Sequence, residues 1–107
     1  MTQAHLDQFL ADQLARYEEY RKRNGLTADI FNATFTAERG PKYARIVKSD
    51  TQRMVVCFIN LETGDIHKAA GWKAPETKGK TKGVRGNFFT PDRGASCMTA
   101  SSVAYLR

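Results

Sequence analysis

Cysteine is scarce in this 107-residue chain: Cys57 and Cys97 are the only two, and they form no CxxC pair. That excludes a disulfide framework. With only His5 and His67 as imidazoles, the ligand spacing of a zinc site is absent as well. Long apolar runs are also missing. No stretch approaches the ~18 residues needed to cross a bilayer and no signal-peptide pattern is present, so a soluble protein of a reducing, cytoplasmic compartment is expected. Acidic residues become rare after the first third. Residues 39–107 hold five acids against 13 cations, a balance of +8, whereas residues 1–38 hold six acids against four cations, a balance of −2. The overall charge of +6 therefore belongs to the later part of the chain. Such a surface suits nucleic acid, an acidic protein patch or an anionic membrane, although solubility alone also explains it. No membrane partner is expected.

What is present describes one domain over residues 1–107. Its hydrophobic share of 41% is that of a globular chain able to bury a core, not of a disordered one. The spacing of Leu6, Phe9, Leu10, Leu14, Tyr17 and Tyr20 predicts an amphipathic helix over residues 3–23. Thr2 caps its start, Asn24-Gly25 ends it, and Arg21, Lys22 and Arg23 complement the dipole of the last turn. From Ala33 the period changes to two, which makes residues 33–107 a β-rich basic body. Strands are predicted over 34–38, 42–49, 53–61 and 65–70, joined by turns at Arg39-Gly40-Pro41, at 49–52 and at Glu62-Thr63-Gly64-Asp65. The third is apolar on both faces, with Val55, Cys57, Ile59 and Leu61 on one and Met54, Val56 and Phe58 on the other, as a central strand reads. A short strand at Asn87-Phe88-Phe89, a turn at 90–94 and a terminal strand at 102–106 complete the pattern. The expected fold is α+β: an amino-terminal helix packed on a four- to five-stranded antiparallel sheet, with a projecting basic loop.

That loop is the candidate site. Lys68, Lys73, Lys78, Lys80, Lys82 and Arg85 lie between residues 68 and 87 against a single acid, Glu76. Like charges so close repel one another unless an anion neutralises them. Gly79, Gly83 and Gly86 would let backbone N–H groups approach such an anion, and Arg39, Lys42, Arg45, Lys48 and Arg53 would extend the surface. Trp72 admits two roles: an anchor packed on the sheet, which is the commoner use of a lone tryptophan, or a stacking platform for a base. Of Phe88 and Phe89, at least one belongs to the core.

Enzymatic constellations are weak. Gly79-Lys80-Thr81 ends like a phosphate-binding loop, but the first glycine of GxxxxGK[ST] would fall on Ala74. A Cys57–His67–Asp65 nucleophile set would need an exposed thiol, whereas Cys57 lies in an apolar strand and His67 reads as an exposed strand histidine. No cofactor is implied, and no helix-turn-helix, zinc finger or RNP-type aromatic motif offers base-specific readout.

The runs Lys42-Tyr43-Ala44-Arg45-Ile46-Val47, TGDIHKAAGWKAP (Thr63 to Pro75), GVRGN (Gly83 to Asn87) and Tyr105-Leu106-Arg107 resemble a group of small tailed-bacteriophage proteins. Those carry KYxRIV, TGDxxKxAxWKAP, GxRxN and a closing YLR or YLK. The resemblance covers residues 42–107, with residues 76–82 standing as an insert, and leaves the helix outside. It implies a phage origin, action in the host bacterial cytoplasm or the virion, and no catalytic residue. Together these features lead to a non-enzymatic accessory protein that binds nucleic acid, DNA or RNA without sequence preference. A module docking on an acidic host or phage protein is the rival.

Overall fold

A computed structural model describes residues 1–28 and 32–103. One helix, α1 (Gln3–Arg23), precedes five strands: β1 (Thr34–Arg39), β2 (Tyr43–Ser49), β3 (Arg53–Asn60), β4 (Asp65–His67) and β5 (Val84–Asn87). A 3-10 turn follows at Ala95–Cys97. The sheet order is β1-β2-β3-β4-β5 and every neighbouring pair is antiparallel, a plain meander with β3 at its centre. The α+β class and the helix bounds agree with the sequence pattern.

The helix begins with a capping box in which the Thr2 hydroxyl accepts from the His5 N–H and His5 Nδ1 accepts from the Thr2 N–H. It lies over one face of the sheet. Leu6 and Phe9 are fully buried there with Ala44, Ile46, Cys57, Ile59 and Ile66. The buried ridge runs Leu6, Phe9, Gln13, Tyr17, Arg21, and this corrects the expected stripe: Leu14 and Tyr20 are exposed. Gln13 can occupy the interior because its amide is satisfied, donating to the Thr99 carbonyl and accepting from Arg16. Arg21 serves the helix end, donating to the Leu26 carbonyl and pairing with Glu18.

Three strand expectations change. The β2–β3 register shifts at Ile46/Val47, leaving Val56 as an extra residue on β3. Val56 and Cys57 consequently both join the helix-side core, and Met54 is exposed. The fourth strand stops at His67, because the chain turns off the sheet at Lys68 and only Ala69 pairs again, with Pro75. The fifth strand is Val84–Asn87, so it ends where the expected strand at Asn87-Phe88-Phe89 would begin. Phe88 leaves the ladder to bury its ring against Phe9, while Phe89 is exposed and lies over Gly64. Of the expected terminal strand, Ser102 is a bend, Val103 makes an isolated bridge to Met98, and residues 104–106 lie outside the described residues.

Candidate nucleic-acid interface

On the sheet face away from the helix, Val47 and Phe58 are buried too, so that face is also covered. The cover is the segment from Lys68 to Gly83, the basic loop of the sequence. Its first part, residues 68–76, is a folded hairpin, and residues 77–83 turn back from it to β5. The Lys68 N–H donates to the Gly83 carbonyl at 2.8 Å, and the Lys68 carbonyl accepts from the Glu76 N–H at 2.8 Å. Near the tip the Ala70 N–H donates to the Ala74 carbonyl at 3.0 Å.

His67 locks this neck. Its Nδ1 lies 3.0 Å from both the Glu76 and Lys82 carbonyl oxygens. Carbonyls only accept, so Nδ1 carries the hydrogen and is shared between them. The imidazole is buried, with the Tyr43 ring edge-on at 5.4 Å. His67 is therefore a structural clamp, which corrects its reading as an exposed strand histidine. The Cys57–His67–Asp65 set does not assemble. Cys57 points into the helix-side core, where burial pushes its thiol pKa far up, while His67 sits on the other face beside Phe58.

Gly83 completes the neck with φ +76, and a Cβ there would stand 2.2 Å from the Glu76 carbonyl oxygen. Gly83→Ala is therefore expected to cost about 1–3 kcal/mol, from the left-handed backbone and the overpacking together. Chemical denaturation would show the loss. Hydrogen exchange should localise it to the Lys68 and Glu76 amides. Wild-type protection at those two amides in the variant would mean that the neck does not depend on Gly83. Gly86 is likewise closed, packed on Cys97, so among the three loop glycines only Gly79 is exposed for an approaching anion.

Trp72 anchors the tip. Its ring is engaged by two guanidinium groups, with Arg45 at 4.4 Å and Arg53 at 5.1 Å from the centroid. Arg45 also donates to the Trp72 carbonyl at 3.0 Å. Glu38 bonds both arginines, at 3.0 and 3.2 Å, and they hold its carboxyl below the ordinary range, Arg45 foremost. These two cations are thus committed to holding the hairpin. Lys48 is buried against Tyr17 and Asp50, so it does not extend the surface either.

The remaining cations are disposed differently. Lys68 and Lys73 on the hairpin and Lys78, Lys80 and Lys82 on the turn after it are all exposed, and the last four make no ion pair among the described residues. Glu76, the one acid of the segment, accepts from the Lys78 backbone N–H. Arg85 is only half-exposed on β5, donating to the Thr81 hydroxyl, with its Nε buried and unpartnered among the described residues. Two clefts flank the hairpin. The larger, about 590 Å³, runs between Lys42 and Tyr43 on one side and Lys80, Thr81 and Lys82 on the other, with Asp65 its only acid. The smaller, about 290 Å³, includes Arg39, Lys42, Tyr43 and Lys73, with Glu38 already paired. Lys42, Tyr43 and Pro75 line both, so the clefts adjoin along Tyr43.

Tyr43 was missed by sequence reasoning as a site residue. The signal was its parity with Arg45 on β2, which places it on the face the hairpin covers.

The family model of DUF7717, a family of unknown function, matches residues 2–105. The chain belongs to that family. The match takes in α1 as well as the sheet, so the relationship reaches beyond the motifs of residues 42–107. No curated protein and no solved structure matches the chain. Among the described residues no group of His, Cys, Asp or Glu is placed to hold a metal, and no helix is long and apolar enough to cross a membrane.

Proposed function

We propose that this DUF7717 protein is a non-enzymatic nucleic-acid-binding protein of a bacteriophage, acting in the host cytoplasm or in the virion. The observation that carries the binding reading is the clamped hairpin. The hairpin and the turn after it present Lys68, Lys73, Lys78, Lys80 and Lys82 to solvent, while Glu38 is paired with Arg45 and Arg53, Glu76 accepts a backbone N–H and Asp65 accepts from the Asn87 amide. Lysines need little geometry to neutralise phosphates, and each phosphate contact releases counterions and adds salt-sensitive, sequence-independent affinity. The separation of Cys57 from His67 supports a role without nucleophilic chemistry. Phage origin is supported by the KYxRIV and TGDxxKxAxWKAP resemblance.

Fluorescence anisotropy with single- and double-stranded DNA and RNA at about 50 and 200 mM salt tests the reading, with dissociation constants of ~10⁻⁴ to 10⁻⁶ M expected. No salt-sensitive binding up to roughly 10⁻⁴ M would end it. A bacterial protein still retained by the chain after nuclease treatment would favour docking on an acidic partner instead.

A further inference from the structure

We infer that the groove along Tyr43 takes single-stranded nucleic acid, with the Tyr43 ring as the stacking surface for a base and the flanking lysines on its phosphates. This rests on the nucleic-acid reading above and adds strand type and a recognition residue to it.

Trp72 is 37% exposed, but its ring is already engaged by the Arg45 and Arg53 guanidinium groups that hold the hairpin tip. Tyr43 is different. It is half-exposed, it lines both clefts, and its orientation is fixed from one side by the His67 ring standing perpendicular to it at 5.4 Å. His67 in turn is pinned by two carbonyls, so the ring is held before any ligand arrives. Preorganisation of this kind lowers the ordering cost of binding. Lys42 Nζ stands 5.6 Å from the Tyr43 centroid, a cation that can move from ring to phosphate as a base arrives. Lys80 and Lys82 line the larger cleft with it, and Lys73 and Arg39 line the smaller one. The larger cleft falls within the ~300–1,000 Å³ of small-ligand sites, suited to one unstacked base with its sugar and phosphate. A duplex keeps its base faces stacked on one another, so it can reach the lysines but not the tyrosine ring. Cations beside an aromatic in a groove are the elements by which single strands are held without sequence preference.

The test is anisotropy with a labelled oligothymidylate of about 15 nucleotides and a duplex of the same length, on the wild type, Tyr43→Leu and Tyr43→Phe. The wild type should prefer the single strand by at least about tenfold. Tyr43→Leu should lose ~5- to 150-fold on the single strand only, the range set by one base–aromatic stack, and Tyr43→Phe should keep the affinity. Photocrosslinking of an iodouracil-substituted strand to the wild type gives a readout independent of variant folding: the adduct should map to Tyr43. Adducts at Trp72 or Phe89 instead would overturn the inference. So would equal, salt-sensitive binding of both probes that Tyr43→Leu leaves unchanged, and in that outcome the electrostatic reading would stand. Polyglutamate bound as tightly as the oligonucleotide would overturn it in favour of an acidic protein. If neither nucleic-acid probe binds, both readings fall.

Discussion

Phe9→Ala is expected to lower the unfolding free energy by about 3–5 kcal/mol, a large share of the ~5–15 kcal/mol of a domain this size. Phe9 is fully buried, its ring meets Phe88 at 6.4 Å, and the Arg16 guanidinium stands 5.8 Å from its centroid. Truncation would leave a cavity where the helix, the sheet and the segment after β5 converge, and none of the three can close it alone. Thermal melting should fall by more than ~12 °C. Leu14→Ala on the same helix is the control. Leu14 is 41% exposed, so its loss should fall within about ±0.5 kcal/mol. Equal costs at the two positions would mean that the helix presents a different face to the sheet.

Replacing Lys42, Lys73, Lys80 and Lys82 together by glutamine should remove most of the salt dependence of nucleic-acid binding. If each lysine neutralises one phosphate of a single strand, log K falls by about 2.8 per tenfold rise in salt from these four alone. That corresponds to roughly a 50-fold loss between 50 and 200 mM, a loss the variant should no longer show. The side chains are exposed and outside the ion pairs that hold Trp72, so the variant should fold as the wild type does and melt within a few degrees of it. Titrations at several salt concentrations give the slope directly. An unchanged slope would place the binding surface elsewhere on the molecule.

Much of the fold was legible because local chemistry dictates it. Thr2 and Asn24-Gly25 bracket α1, and Gly64, with φ +79, closes the β3–β4 turn. The two-faced apolar pattern of β3 marked it as central, and it is. The misplaced details share a cause, which is that a tertiary contact outweighed a local preference. Gln13 displaces Leu14 from the interior because Thr99 and Arg16, distant or on the next turn, satisfy its amide. Val56 bulges into the core against the two-residue period. Phe88 gives up a strand position to fill the space beside Phe9.

For the candidate site the divide is similar. The density of lysines between residues 68 and 87 is plain in the chain, but the commitment of Arg45 and Arg53 is not, since it needs the outer face to be covered. One part was readable: the turn at Gly40-Pro41 puts Glu38 directly opposite Arg45 in the register, and a cross-strand ion pair follows. The His67 clamp was not readable, because its partners are backbone carbonyls nine and 15 residues away.

The meander has a consequence for how the molecule is made. Each strand pairs only with its neighbours in the chain, so the sheet can be assembled in step with synthesis, hairpin upon hairpin. The helix, made before the strands, must wait for its other contacts: Phe9 meets Phe88, and Gln13 reaches Thr99 across 86 positions of chain. Its docking joins segments far apart in the chain, and the domain closes only once the residues after β5 have been made.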